Sequence, residues 1–121
     1  MERNESFAAG LREQGHDVHA AQLDITDTDS ITALSAHIHE RFGGADILVN
    51  SAVVGRHGDF DEQTPQYWER SARGNMVGLF AMCKAFVSAM VERRRGSIIN
   101  ISSIYGIVAN DPSLYEGTDM K

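Results

Sequence analysis

Two short runs of contiguous apolar residues constrain this chain most: Ile47-Leu48-Val49, between Asp46 and Asn50, and Ile98-Ile99 with Ile101. Runs this short, β-branched and bounded by polar residues, read as strands buried on both faces, the pattern of a parallel sheet. Two parallel neighbours need a crossover of a dozen or more residues, usually a helix. The intervening sequence supplies one. Trp68, Ala72, Asn75, Met76, Leu79, Cys83, Phe86, Val87 and Met90 recur at helical spacing, Thr64-Pro65 sets a cap before a proline at the first helical position, and Gly96 ends the pattern. The spacing predicts one long helix over residues 65–95, roughly 45 Å if unbroken.

Upstream, Phe7 and Leu11 lie four apart, Asn4 is placed to cap, and Gly15 follows, which predicts a helix over residues 4–14. Val18, Ala20 and Leu23 predict a strand over residues 16–24. Thr26-Asp27-Thr28-Asp29 has capping chemistry, and Ile31, Leu34, Ile38 and Phe42 then recur every three or four residues up to Gly43-Gly44. The order helix, strand, helix, strand, helix, strand suits right-handed crossovers and an α/β fold with a parallel sheet of about three strands and flanking helices. Ligands of such sheets sit beyond the carboxyl ends of the strands. Asp24, Asn50 and Ser102-Ser103 end the three strands and are therefore the residues to examine.

The 121 residues suit one domain over 1–121, and a net charge of −6 excludes a strong electrostatic grip on nucleic acid or an anionic membrane. Arg93-Arg94-Arg95 reads as a solvated helix end complementing the macrodipole. No apolar stretch has the length to span a bilayer and no signal-like run follows Met1-Glu2-Arg3, so a cytoplasmic protein is expected. The single cysteine, Cys83, reads as a buried structural thiol. His16 and His19, and His37 and His39, lack convergent metal spacing, and His57 reads as a polar loop residue.

Four segments together resemble the short-chain dehydrogenase/reductase family: Asp24-Ile25-Thr26-Asp27, Asp46-Ile47-Leu48-Val49-Asn50-Ser51-Ala52, Asn75-Met76-Val77-Gly78-Leu79-Phe80, and Gly96-Ser97-Ile98-Ile99-Asn100-Ile101-Ser102-Ser103. Their order and spacing cover the chain from its first helix to about Gly106. The resemblance implies a partial Rossmann-like, doubly wound sheet and NAD- or NADP-dependent interconversion of a small alcohol and a carbonyl. It implies Asp24 at the adenine, Asn50 and Ala52 at the adenosine ribose, and Ile25, Ser51 and Ile101 also at the cofactor. Asn75 would hold a water in a proton relay, or satisfy a kink beside Gly74 and Gly78. Ser103 would bind the substrate carbonyl oxygen, with Ser102 a strand-end capping hydroxyl. The family's Asn-Asn-Ala-Gly stands here as Asn50-Ser51-Ala52-Val53, which removes an amide that ties neighbouring strands and a residue with easy access to positive φ.

The family's proton donor is a tyrosine with a lysine four residues later, whose charge brings the phenol pKa down. Tyr115 lies twelve residues after Ser103, but Asp119 stands four beyond it and Lys121 six beyond. Residues 114–120 read either as this tyrosine segment or, preferably, as an insertion ahead of it. A glycine-rich pyrophosphate turn has no match in residues 1–15, so the chain reads as an internal fragment, inactive alone. As a rival to catalysis, the long helix could serve as a dimerisation module, Gly74 and Gly78 permitting close helix approach and Met76, Phe80, Met90 and Val91 forming a patch. A nucleoside-binding module without turnover is the remaining reading. In either case a homo-oligomer through helix 65–95 is expected.

Overall fold

The computed structural model of the chain describes residues 2–55, 60–109 and 111–117. Helix α1 spans Glu2–Glu13, α2 Thr28–Phe42, strand β1 Ile47–Asn50, α3 Pro65–Ala72, α4 Leu79–Glu92 and β2 Ser97–Asn100. Short 3-10 turns occupy Phe60–Glu62, Ile104–Gly106 and Pro112–Tyr115. Strands β1 and β2 pair in parallel, with Ile47 opposite Ser97 and Asn50 opposite Asn100. The α/β architecture with a small parallel sheet and flanking helices is as expected.

Two expectations about the sheet are corrected. Residues 16–24 form no strand, so among the described residues the sheet has two strands rather than three. An extended segment becomes a strand only when a neighbour takes its backbone groups. Here side chains take some of them instead: Arg12 Nη1 donates to Val18 O at 2.9 Å, and Ser30 Oγ accepts from Asp24 N at 3.0 Å. Among the described residues β1 pairs with β2 and not with this segment. Finally, the apolar strands are not buried on both faces: Leu48 is buried, while Ile47 and Val49 are 63% and 53% exposed. Packed on β1 is α4, which also lies against α2, and that layer covers the Leu48 side.

The core consists of Ile31 from α2, Leu48 from β1 and Met82, Phe86 and Met90 from α4, edged by Leu23, Leu34, Ile38 and Ile98. The three α4 residues are four apart and lie on one helix face. Full burial of a side chain like Ile31 contributes about 1.5–3 kcal/mol. Asp27 caps α2 by accepting from Asp29 N, and Gly43 closes it with φ 74°, a left-handed conformation suited to glycine. Asn4 does not cap α1, because the helix begins at Glu2. Thr64 occupies the cap position of α3 but makes no side-chain capping bond.

The predicted single long helix is interrupted. Between α3 and α4 the turn at Arg73–Gly78 is π-helical, and regular helix stops at Glu92. Such a bulge relieves crowding where a helix must approach other backbone closely. Both flanking glycines are buried: a Cβ at Gly74 would meet the Val54 side chain, and one at Gly78 would meet the Ile25 carbonyl oxygen. These glycines therefore accommodate the chain's own loops and not a partner helix, which removes that support for a dimerisation module. The helical run Pro65–Glu92 is also long and apolar enough to cross a membrane, contrary to the sequence expectation, although in this fold one face packs on β1 and α2.

The arginine cluster departs from a solvated helix end. Arg93 donates to Ala45 O at 2.7 Å and Gly43 O at 3.4 Å, while Arg95 pairs with Asp46 at 2.6 Å, so both fasten the start of β1. Cys83 is half-buried rather than buried, 3.6 Å from Asn50 Nδ2. His57 lies outside the described residues.

Close approach at Gly78 predicts a strong substitution effect. Gly78→Ala is expected to lower unfolding free energy by about 1–3 kcal/mol, because backbone at Ile25 must shift. By contrast Gly10→Ala, in α1 with nothing within 4 Å of its added methyl, is expected to stabilise by roughly 0.5–1 kcal/mol. Denaturant unfolding of both variants measures the contrast, and equal effects would refute it.

Candidate functional site

Beyond the carboxyl ends of β1 and β2 lie two adjoining cavities. The larger, about 1210 Å³, is lined by residues of α1, by the extended segment through Asp24 and Ile25, by Ala52 and Val53, and by Arg70. The smaller, about 500 Å³, is lined by Ile25, Asn50, Ser51, Ala52, Asn75, Ile101 and Ser102 among others. Leu23, Ile25, Ala52 and Val53 border both, so together they form one groove. Its walls are two loops, residues 24–26 and 51–54, each held against the π turn.

The loop holding Asp24 is fixed by that residue's own carboxylate. Asp24 Oδ1 accepts from Thr26 N at 2.8 Å and from Thr26 Oγ1 at 2.7 Å, while Arg73 Nε donates to Thr26 O at 2.8 Å. The Thr26 hydroxyl and then its amide, both donating to the charged form, hold the Asp24 carboxyl below the ordinary carboxylate range. Both bonds fall on Oδ1.

The second loop is fixed by Asn75. Its Oδ1 accepts from Val54 N at 2.8 Å, and its Nδ2 donates to Val54 O at 2.7 Å and to Ser71 Oγ at 3.0 Å. Of the two readings of Asn75, the geometry bears on the second: the amide sits in the π turn between Gly74 and Gly78, and both its protons are committed to the protein. Asn50 Nδ2 donates to Asn100 Oδ1 at 2.9 Å, tying the strand ends. Asn100 thus supplies the inter-strand amide that Ser51 lacks.

Every residue expected at the cofactor, Asp24, Ile25, Asn50, Ser51, Ala52 and Ile101, lines the groove. Those expected at the chemistry are less gathered. Ser103 is exposed and lines neither cavity, and its Oγ accepts from Tyr105 N at 3.2 Å. The capping hydroxyl is therefore Ser103 and not Ser102, which lines the smaller cavity. Since Ser103 Oγ serves as acceptor there, its proton remains for another partner. Tyr115 ends the turn Pro112–Tyr115 with its side chain not among those described, and Asp119 and Lys121 lie outside the described residues. Sequence reasoning missed Val54, Ser71 and Asn100. Only Asn100 carried a signal, as a polar residue at a strand end.

The groove fits the adenosine half of a dinucleotide: an acidic acceptor at one wall, a small Ala52 on the floor and apolar Ile25 and Ile101 suit a flat base and its ribose. Among the described residues, no glycine-rich turn that would cradle a pyrophosphate lies at this groove. Among the described residues Gly74 is the one glycine lining either cavity, and it lies in a helix interior rather than in a turn before a helix.

Residues 1–115 match the family described as short chain dehydrogenase. The 3-oxoacyl-(acyl-carrier-protein) reductase of Staphylococcus aureus is 30% identical over 109 residues, 90% of this chain and 44% of that protein. The trans-4-hydroxycyclohexanecarboxylate dehydrogenase of Sinomonas cyclohexanicum is 41% identical over 106 residues, 87% of this chain and 39% of that protein. Among solved structures, a metagenomic short-chain oxidoreductase in complex with NADP superposes with a TM-score of 0.81 at 28% identity, covering 90% of this chain and 50% of that one. The chain spans less than half the length of the two curated relatives.

The depressed Asp24 pKa has a testable sign. A carboxylate held low stabilises the fold fully above its ordinary range, and that contribution is lost as pH falls through the folded value. Thr26→Val removes the largest of the lowering causes, leaving the Thr26 amide and the Arg70 charge, so the Asp24 carboxyl is expected to titrate at higher pH than in the wild type. Carbon-detected NMR of the side-chain carboxyl reads this directly, and an unchanged titration would refute the hydroxyl's role.

Proposed function

Because this chain belongs to the short-chain dehydrogenase family, we propose that its 121 residues form the adenosine side and part of the reacting side of an NAD- or NADP-dependent oxidoreductase, one that interconverts a small alcohol and a carbonyl compound. The observation that carries this reading is the single groove at the strand ends, lined by all six residues expected at the cofactor. That a family neighbour was solved with NADP supports the same class of ligand.

When bound, the nicotinamide cofactor supplies or takes up the hydride. Asp24 would accept a hydrogen bond from the adenine amino group, and Ile25 and Ile101 would give the cofactor apolar surface. Asn50, Ser51 and Ala52 form the floor, Ala52 because a short side chain lets the ribose approach backbone. Ser103 offers its hydroxyl proton to the substrate carbonyl oxygen, where negative charge grows during reduction. Asn75 acts through the loop it holds. Tyr115 is the proton donor only if a cation comes beside it, and Asp119 argues for a donor elsewhere in the protein.

Self-association is supported by an apolar strip. Met76, Phe80, Val87 and Val91 lie along one helix face, Phe80 being 65% exposed, and Met90 drops out of the expected patch because it is buried in the core. Exposed apolar surface of this kind is usually covered by another chain. Phe80→Glu is expected to shift the chain toward monomer in light scattering at tens of micromolar. An unchanged molar mass would refute association through this face.

The functional reading is tested by NMR titration of the chain with adenosine and with NADP+. Weak binding is expected, with shifts confined to residues 24–25, 50–52 and 101, and loss of both in Ala52→Leu. With NADH or NADPH and simple ketones, the 121 residues alone are expected to show no turnover, since the proton transfer that typically contributes two to four orders of magnitude lacks a tuned donor. Absence of any shift at the groove would overturn the reading. So would turnover that disappears in Tyr115→Phe, as regards the assignment of the donor.

A further inference from the structure

Within the loop over residues 51–54, Ala52 and Val53 border both cavities, yet no described helix or strand contains that loop. Its side-chain attachments to the helix converge on Val54, and one of them comes from a residue that has no part in the chemistry above. Ser71 lies in the last turn of α3, half-buried, one turn ahead of Asn75. A serine inside a helix ordinarily returns its hydroxyl to a carbonyl of its own preceding turn. Ser71 instead donates to Val54 O across the groove loop at 3.1 Å, and accepts from Asn75 Nδ2 at 3.0 Å.

We propose that Ser71 is a positioning residue that sets the groove floor by locking the Asn75 carboxamide onto Val54; its bearing on ligand rests on the dinucleotide reading above. The geometry is a closed cycle. Asn75 Nδ2 gives one proton to Val54 O at 2.7 Å and the other to Ser71 Oγ, whose own proton goes to Val54 O. Val54 O thereby receives two donors, one for each lone pair. A carboxamide is nearly symmetric in shape, so packing alone does not fix which end faces the carbonyl. Val54 decides the orientation, since with the amide turned over Oδ1 would face Val54 O and Val54 N–H would face an NH2 group; Ser71 takes the second amide proton and so holds the oriented amide in place. With the amide fixed, Val54 is held by its N–H and its carbonyl together, and Ala52 and Val53, just ahead of it, are fixed in the groove.

Losing the hydroxyl leaves one amide proton without its acceptor in a half-buried place and removes one of the two donors to Val54 O, which loosens the clamp. Ser71→Ala is therefore expected to speed hydrogen exchange at Val54 N–H by about tenfold while exchange at Leu48 and Phe86, in the core, changes little. Binding of adenosine and NADP+, followed by ligand-observed NMR on the whole 121-residue chain, is expected to weaken about fivefold, the size of one net hydrogen bond. Ser71→Thr, which keeps the hydroxyl, is expected to restore both. A merely structural serine would accelerate exchange at Val54, Leu48 and Phe86 alike, and that result overturns the proposal. Unchanged exchange at Val54 overturns it too, as does faster exchange with unaltered binding. A wild-type chain that binds neither probe overturns the dinucleotide reading instead, and the Val54 exchange comparison then upholds or overturns the clamp by itself.

Discussion

The site depends on how closely one helix can approach two loops. Gly78 leaves room for the Ile25 carbonyl and Gly74 for the Val54 side chain, so the π turn contacts both walls of the groove within little more than one turn. Inserting a residue into a helix costs regular hydrogen bonding, which is why such bulges persist where something else depends on them. What depends on this one is the Asn75 amide. Because it bonds to both the N–H and the C=O of Val54, it does for an irregular loop what a ladder does for a strand. Polar groups that must be satisfied in any case are thereby used to fix the groove's shape.

The sheet itself is less constrained. Two strands with one apolar layer leave Ile47 and Val49 facing outward, although the run is the kind that parallel sheets bury on both sides. What secures the pair is concentrated at its two ends. Arg93 and Arg95 hold the entry to β1 through the Gly43 and Ala45 carbonyls and Asp46, and the Asn50–Asn100 amide bond joins the exits. Ion pairs this exposed contribute little individually, about 0–1 kcal/mol. Leu48 against Met82, Phe86 and Met90 therefore contributes most of the sheet's stability, and the end contacts set its register.

The parts of the fold visible in the sequence were those governed by local patterns. Thr26-Asp27-Thr28-Asp29 and Gly43 delimit α2 through capping and a left-handed residue, and both are properties of a few adjacent side chains. The strand over residues 16–24 was misread because strand formation is a property of two segments, and Val18, Ala20 and Leu23 contain no information about a missing neighbour. The break in the long helix was hidden for the opposite reason. Its apolar spacing continues through Gly74, Asn75 and Gly78, and only the loops packed against them require the bulge. For the site, strand ends pointed to Asp24, Asn50 and Ser102-Ser103, whereas Ser71 and Val54 act through backbone contacts that leave no trace in residue type.

The two halves of the groove differ in how much of their chemistry is built into the local structure. On the adenosine side, Asp24 is oriented by Thr26, Ala52 by the Val54 contacts and Asn50 by Asn100, so each ligand-facing residue is restrained by a bond that does not need the ligand. Binding there requires little further ordering, which is where preorganised sites gain affinity. On the reacting side, Ser103 is held by bonds from within its own short turn, Tyr105 N to its hydroxyl and Gly106 N to its carbonyl, and Tyr115 follows in another turn. Hydride transfer tolerates little misplacement of the carbonyl, so that side needs a restraint on Ser103 from beyond its own turn. The fold thus completes the part of the site that recognises a nucleoside before the part that does chemistry, because the former is anchored to the core helix and the latter to turns outside it.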